Sequence, residues 1–403
     1  MANKNVVVLV HGIGKHDAGW TTQGDESPVE TLKTASKKYE SIFVDDNPIT
    51  KSVKFLEVRY DDIFETVRSQ WHELATNLEK AGFDGASAAS IQKLKEFIPS
   101  AIGDLADVTD EDKWVATHAL DAILYKGFPL VRNIVRHSVA AQLAKIVADH
   151  IQEDRDDDPT YTLIGHSLGT AVLYDAIDLL GRTNWLNGVK KIQAEGLADD
   201  IDEDGLRLAR NRFGANPFSS KGLWDWRGLV MIANLSPIFC RHPRPDSIES
   251  RVRPMHSGGM NGRSVDYYLN IDHMFDPVGK VNRFSATAIW PTSAQAGFAF
   301  DIVKLKHFYD KNIHSFSHYL IHPSVHSRIF WLATPKRFKF SDVRAADASV
   351  GTDFPNLRPD FVDDAKRRVL EKGLAEIFNL TDQKEIDTYV ARLNALADII
   401  SGD

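Results

Sequence analysis

Short apolar runs are spaced along this chain, and longer stretches with helical spacing lie between them. The apolar runs cover Asn5–Val10, Tyr161–Ile164, Leu229–Asn234 and Asp266–Ile271, and the residues of Ser52–Tyr60 alternate between apolar and polar side chains. Runs of this length and composition predict β-strands. Because helical stretches separate the strands, we expect an α/β fold with a mostly parallel central sheet flanked by helices.

The largest helical block lies between the second and third predicted strands. Its helix-compatible segments are Phe64–Lys80, Ser87–Phe97, Trp114–Tyr125 and Val131–Ile151. We interpret this block as a helical cap insertion over residues 63–153 that controls the access of substrate. Its apolar side chains are available to bind acyl chains or a membrane surface, although packing of the cap onto the body is the simpler explanation for each of them.

The rest of the chain fits a single domain with one further insertion and a tail. We predict an α/β domain over residues 1–340, with the second insertion, which carries an acidic loop, at 183–226. Residues 341–403 form a C-terminal helical appendage with two amphipathic segments, Phe361–Phe378 and Thr381–Ile400. Such a helix pair either docks on the body or joins two copies of the chain, and the sequence leaves both open.

A serine flanked by glycines joins the third predicted strand to the helix that follows it. The motif is Gly165-His166-Ser167-Leu168-Gly169. Two glycines at this spacing permit a turn too tight for side chains on either flank, with the Ser167 hydroxyl above the sheet. The next helix points its N-terminus to where negative charge develops on a bound carbonyl. The motif therefore predicts a nucleophile elbow, with an ordinary helix cap at Ser167 as the alternative.

The first strand ends in a second glycine-containing loop, His11-Gly12-Ile13-Gly14. The tetrahedral intermediate of acyl transfer needs N–H donors from two places, one beside the nucleophile and one from a loop near the start of the sheet. We predict that the N–H groups of Leu168 and Ile13 form this oxyanion hole and that Gly12 and Gly14 shape the loop. A plain strand-to-turn junction is the alternative. The glycine spacing does not match a phosphate-binding P-loop, so no nucleotide cofactor is expected.

Two aspartates after the Asp266–Ile271 strand are candidates for the acid that orients a catalytic histidine. Asp272 lies next to the strand, whereas Asp276 precedes Pro277 and is thereby restricted to extended backbone angles. This restriction suits a carboxylate held at a strand end, so we favour Asp276 over Asp272. An Asx or proline turn is the other use of an Asp-Pro pair.

A histidine-rich segment further along the chain supplies the general base. The candidates are His314, His318, His322 and His326. We favour His314, which precedes Ser315, a good N-cap, over His318, which lies one turn into the next helix. His322 and His326 are interpreted as structural. Zinc is the alternative for such a cluster, but Asp310 is the only acid close in sequence and no cysteine is near, so we predict neither a metal nor another cofactor.

The order of these segments resembles the α/β-hydrolase superfamily, in particular its lipase-like and esterase-like members. The matching features are a His-Gly loop, Gly-His-Ser-Leu-Gly, Asp-Pro-Val-Gly, and His-Ser before a helix, in the chain order Ser, Asp, His. The resemblance implies Ser167 as nucleophile, Asp276 as orienting acid and either His314 or His318 as base. It also implies an oxyanion hole from Ile13 and Leu168, supported by His11, Gly12, Gly14, Gly165, His166 and Gly169. It covers the first and last strands and the elbow, and leaves out the insertions and the tail.

Charge and cysteine content narrow the functional classes. The net charge of the 403 residues is -8, which argues against nucleic-acid binding because phosphate backbones attract a basic surface. Cys240 is the single cysteine, so the chain cannot form an intramolecular disulfide. The lack of disulfides is typical of proteins in a reducing compartment. Met1–Lys4 is followed directly by a short predicted strand, whereas a secretory signal would have a longer apolar core. No run approaches the roughly 20 apolar residues of a membrane span. We therefore expect a cytoplasmic protein. Export by a route that needs no signal peptide is the alternative.

These features predict a serine hydrolase that cleaves a small-molecule or lipid ester through a Ser-His-Asp triad and an acyl-enzyme. Phospholipases, thioesterases and amidases use the same groups, so the sequence does not choose the acyl chain or the leaving group. A noncatalytic interaction module on a hydrolase scaffold is the alternative from another class. Peripheral membrane contact and self-association through the C-terminal helices are the partner predictions that accompany these functions.

Overall fold

The chain divides into two compact units. The first comprises residues 1–12, 17–59 and 136–366 and contains the sheet, and the second comprises residues 13–16, 60–135 and 367–403. A computed structural model describes residues 5–12, 16–24, 27–43, 49–67, 129–150, 160–180, 226–236, 267–273, 299–307 and 314–350, together with residues 125, 187, 190, 191, 194 and 276.

Six parallel strands form the sheet of the first unit, in the order β2-β1-β3-β4-β5-β6. Their bounds are β1 Asn5–Val10, β2 Val53–Val58, β3 Tyr161–His166, β4 Trp226–Ile232, β5 Tyr267–His273 and β6 Ala299–Leu305. The prediction of an α/β fold with a mostly parallel central sheet is confirmed. Since β2 lies on one side of β1 and β3 on the other, the strand order reverses between β1 and β3. Ligands of such sheets bind at the carboxyl ends of the strands beside the reversal.

Burial on both faces explains the hydrophobic runs of the central strands. Val6–Val10 of β1 are 0% exposed, and all residues of β3 are buried. Parallel strands covered by helices on both faces have this near-continuous apolar sequence. The edge strands are more mixed, with Lys54 exposed in β2. Asp301 and Lys304 interrupt the apolar run of β6, which the sequence pattern therefore missed.

Besides the helical residues 61–67, seven α-helices have both ends within the described residues. They are α1 Pro28–Ser36, α2 Ile49–Ser52, α3 Pro129–Ala148, α4 Leu168–Leu180, α5 Phe316–Leu320, α6 Pro323–Ala333 and α7 Phe340–Ser349, with a 3-10 turn at Lys37–Tyr39. Ser27 caps α1, with Pro28 in its first turn, and Ser315 caps α5 by accepting from the N–H of His318. The His322 side chain caps α6. These caps satisfy N–H groups that have no partner within the helix.

The hydrophobic core of the first unit joins the sheet to helices from both ends of the chain. Leu9 of β1 belongs to the same buried cluster as Leu32 of α1 and Ile329 of α6. Val343 of α7 belongs to it as well, so this helix, which lies in the predicted C-terminal appendage, packs on the rest of the first unit. The amphipathic segments beyond residue 350 lie outside the described residues.

Part of the predicted cap is described. In the second unit, the rings of Tyr60 and Phe64 meet edge to face with centroids 5.9 Å apart, and the Arg132 guanidinium lies over the Tyr125 ring. The helix α3 begins in the second unit, and its residues from 136 onward belong to the first. There Gln142 hydrogen-bonds both the N–H and the C=O of Arg59. The predicted helix at 87–97 lies outside the described residues, as do most of the helix at 114–125 and most of the second insertion.

Candidate active site

Ser167 occupies a strained turn between β3 and α4. Its φ is 53°, a left-handed conformation that a residue with a side chain rarely adopts. The surrounding backbone holds it there: its N–H donates to the carbonyl of Ile232 at 2.9 Å, and its carbonyl accepts from the N–H of Thr170 at 3.0 Å. The Thr170 hydroxyl donates to the same carbonyl. Strain that the neighbouring structure enforces in this way is a common property of functional sites.

Glycines allow the elbow to approach the loop after β1. A Cβ added at Gly169 would lie 2.1 Å from the carbonyl oxygen of His11, and one added at Gly165 would lie 3.0 Å from the carbonyl oxygen of Gly169. At Gly12 an added Cβ would lie 3.0 Å from the Cβ of Ser167. A side chain at Gly169 or Gly12 would therefore push the loop and the elbow apart, and one at Gly165 would distort the elbow itself, which is why the predicted motif requires glycine.

His314 connects Ser167 to a buried carboxylate. Its Nε2 lies 3.0 Å from Ser167 Oγ, and its Nδ1 lies 2.8 Å from Asp276 Oδ2. Asp276 is 0% exposed and His314 is 7% exposed. Because a carboxylate only accepts, Nδ1 of the neutral imidazole carries the proton, and Nε2 accepts from the serine hydroxyl. The structure thus brings together the three residues that the sequence favoured, although they are far apart along the chain.

His166 holds the segment that carries His314. Its Nε2–H donates to the backbone carbonyl of His314 at 2.8 Å. The ring of His166 also stacks on Phe316, with centroids 4.9 Å apart and planes 8° from parallel. The sequence named His166 only as a supporting member of the elbow motif. Its contact with the base segment is specific to the tertiary structure.

The competing aspartate and histidines make other contacts. Asp272 accepts from the Asn270 side chain at 2.6 Å, and burial raises the pKa of Asp272 to about 6. His318 is buried against the ring of His273, and burial lowers the pKa of His318 to about 3. A base that must take up a proton near neutral pH needs a higher pKa than this. Among the described residues, His314 is the imidazole that is hydrogen-bonded to Ser167.

The two remaining histidines of the segment contribute to the helices, as the sequence interpretation placed them. Nδ1 of His322 accepts from the N–H of Ser324 at 3.2 Å, which caps α6. His326 is 0% exposed, donates through Nδ1 to the carbonyl of Leu320 and accepts through Nε2 from the Tyr39 hydroxyl. Both nitrogens of His326 are therefore engaged by protein groups, as are both nitrogens of His314.

One predicted oxyanion donor can be located. Leu168 is the first residue of α4, so its N–H has no partner within the helix. It directly follows Ser167, at the positive end of the α4 dipole, where a donor to a developing oxyanion belongs. Ile13 and Gly14, from which the second donor and its loop shape were predicted, lie outside the described residues.

Tyr319 is a member of the site that sequence reasoning missed. Its hydroxyl donates to Asp276 Oδ2 at 2.5 Å, and both residues are 0% exposed. The contact joins positions 43 residues apart, and no spacing rule links a tyrosine on one helix to an aspartate in a distant loop. Only the packing of α5 beside the loop after β5 reveals it.

Comparisons with known proteins add no relative to this description. No protein-family model, no curated protein and no solved structure matches the chain. Among the described residues, every helix is too short or too polar to traverse a bilayer.

Proposed function

We propose that this protein is a serine hydrolase that cleaves carboxylic esters through a covalent acyl-enzyme. The observation that carries the proposal is the continuous row of hydrogen bonds from Ser167 Oγ through His314 to Asp276. The row lies beside the reversal in strand order, where parallel sheets bind ligands. With the Ser, Asp, His chain order and the elbow glycines, it supports membership of the α/β-hydrolase superfamily.

In the proposed reaction, His314 Nε2 takes the Ser167 proton while Oγ attacks the ester carbonyl. The carbonyl oxygen becomes an oxyanion that the N–H of Leu168 stabilises, and Asp276 stabilises the imidazolium. His314 then gives the proton to the leaving alcohol, and the acyl group stays on Ser167. Water attacks this ester with His314 again as base, which releases the carboxylic acid and restores the hydroxyl.

The strain at Ser167 favours this function over a purely structural role. A buried serine can donate a hydrogen bond to histidine without leaving the ordinary regions of backbone angles, so such a hydrogen bond does not need φ of 53°. The left-handed conformation lifts Oγ clear of the strand and places the next N–H beside it. Both consequences serve nucleophilic attack with oxyanion stabilisation.

Labelling of the serine tests the proposal directly. A fluorophosphonate probe should phosphonylate the wild-type protein and should not react with Ser167→Ala. The same substitution should reduce the hydrolysis of p-nitrophenyl butyrate by roughly five to six orders of magnitude. Ser36→Ala is a matched control, because Ser36 is also a buried serine but bonds the Lys33 carbonyl in α1. Undiminished labelling of Ser167→Ala would end the proposal.

A pair of histidine substitutions tests the assignment of the base. His314→Gln should lose at least about four orders of magnitude in ester turnover, because the Ser167 proton then has no acceptor of suitable basicity. His318→Gln should keep turnover within about tenfold, since His318 packs on His273 and the Ser167 hydroxyl is bonded to His314. Loss of turnover in His318→Gln alone would exchange the two roles.

A further inference from the structure

A tyrosine hydroxyl shares the carboxylate oxygen that orients His314. Tyr319 Oη donates to Oδ2 of Asp276 at 2.5 Å, and His314 Nδ1 donates to the same oxygen at 2.8 Å. Tyr319 and Asp276 are both 0% exposed, so bulk solvent does not compete for this oxygen. Hydrogen bonds to an ionised acceptor in such surroundings are short and strong.

The hydroxyl of Tyr319 remains a donor throughout the working range of pH. Burial raises the pKa of Tyr319 well above its usual value, and the charge of Asp276 raises it further. The phenol therefore stays protonated and keeps donating to the carboxylate. Tyr319 and His314 also belong to one short stretch of chain, the segment that enters α5, so Asp276 is attached to this stretch at two points.

We propose that Tyr319 is a positioning residue that controls His314 through Asp276. The inference rests on the proposed hydrolase function. By holding one carboxylate oxygen, Tyr319 fixes the rotation of Asp276 and thereby the direction of the imidazole. The hydrogen bond that Tyr319 donates partly neutralises the charge of Oδ2 and so weakens the attraction between Asp276 and a protonated His314.

Other titratable groups face this part of the site. The rings of His166, His273 and His318 lie 6.1, 6.3 and 6.0 Å from that of Tyr319, and burial lowers the pKa of His273 and of His318, which favours their neutral forms. The pKa of Asp272 is raised to about 6, so Asp272 changes charge inside the range of interest. A test of Tyr319 therefore needs the Asp272→Asn background as well.

The experiment compares Tyr319→Phe with Tyr161→Phe. The first change removes the donated hydrogen bond and keeps the ring that packs against His166 and His273. The second removes a buried hydroxyl at the opposite end of β3, for which no hydrogen bond is found among the described residues. For each protein, the second-order rate constant of fluorophosphonate labelling and kcat and KM for p-nitrophenyl butyrate are measured from about pH 5 to pH 9.

We expect the acidic limb of the labelling rate and of kcat/KM to move to higher pH by about one unit in Tyr319→Phe, with KM little changed. The shift should persist in the Asp272→Asn background, and Tyr161→Phe should keep the wild-type limb. Replacing Tyr319 with a ring-fluorinated tyrosine, a stronger donor of the same shape, should move the limb to lower pH.

An acidic limb that stays in place in a folded Tyr319→Phe protein would overturn the inference, because a side chain that only fills space cannot shift it. If Tyr319→Phe does not fold, the fluorinated tyrosine decides, and an unmoved limb in that protein overturns the inference equally. Failure of the proposed function is a separate outcome, seen when wild type and Ser167→Ala are labelled equally.

Discussion

Mild acid should destabilise the sheet-containing unit because three uncharged histidines are buried around α5 and α6. His318, His322 and His326 are 1%, 3% and 0% exposed. Burial is the main cause that lowers their pKa values, to about 3, 2 and 4 respectively. For His322 the neighbouring His307, His326, His273 and His318 add to the effect, in that order, because each would repel a second positive charge.

The sign of the effect follows from comparing the folded and unfolded chains. The folded pKa of each histidine lies below the unfolded value of 6.5, so the unfolded chain binds more protons in the interval between them. The stabilising contribution is complete above the unfolded pKa and decreases as the pH falls below it. Between pH 7 and pH 5 each histidine loses about 2 kcal/mol, or about 6 kcal/mol for the three.

Asp272 acts in the opposite direction. Its pKa rises from 3.8 to about 6 on folding, so below pH 6 the folded chain takes up a proton that the unfolded chain does not yet bind. At pH 5 this proton uptake stabilises the folded chain by about 1 kcal/mol. The net loss of about 4 to 5 kcal/mol is comparable with the whole stability of many domains, which is 5–15 kcal/mol.

Urea denaturation followed by tryptophan fluorescence at pH 7 and pH 5 measures this loss. The variant His322→Asn keeps a side-chain acceptor at the start of α6 and removes one of the titrating groups. Its loss of stability between the two pH values should be smaller than that of the wild type by about 2 kcal/mol. An identical loss in both proteins, or a wild type equally stable at both pH values, would refute the reasoning.

Three further substitutions test the close packing at two glycines and the ion pairs of Arg328. Gly169→Ala should lower the free energy of unfolding by about 3 kcal/mol or more, because the new carbon would overlap the His11 carbonyl. In the same urea titration, Gly228→Ala should lower the free energy of unfolding by less, because the added carbon meets the movable end of the Leu332 side chain. Arg328→Met should lose about 2 kcal/mol, because Arg328 bridges two aspartates, at 301 and 347. A loss below about 0.5 kcal/mol in thermal and urea unfolding would show that this bridge adds nothing.

Local signals were sufficient for most of the described sheet. The runs at Asn5–Val10 and Tyr161–Ile164 predicted β1 and β3 because strands buried on both faces must be apolar throughout. The strand β6 was missed because it lies at the edge, where Asp301 and Lys304 are compatible with solvent. The helix α1 was not predicted, although Ser27 and Pro28 mark its start and its buried residues Val29, Leu32 and Ala35 recur at helical spacing.

In the candidate site, too, local sequence signals predicted some features and left others open. The elbow could be predicted from the sequence because its geometry depends on five consecutive residues. Close backbone contacts around Ser167 require the glycines among them. Asp276 and His314 could be favoured from local cues, but Asp272 and His318 had to stay open. The choice depends on which side chains meet across the sheet edge, and that depends on the packing of α5 against the ends of β3 and β5.

By itself, the amino-acid sequence determined the alternation of strands and helices, the turn that exposes Ser167 and the set of residues from which an acid and a base could come. These properties follow from neighbours in the chain, through periodicity, turn sterics and capping. Only the tertiary structure decided that one imidazole spans Ser167 and Asp276 and that Tyr319 holds the same carboxylate. Hydrogen bonds of about 3 Å between segments far apart along the chain are set by how helices pack on the sheet, and sequence spacing does not specify that packing.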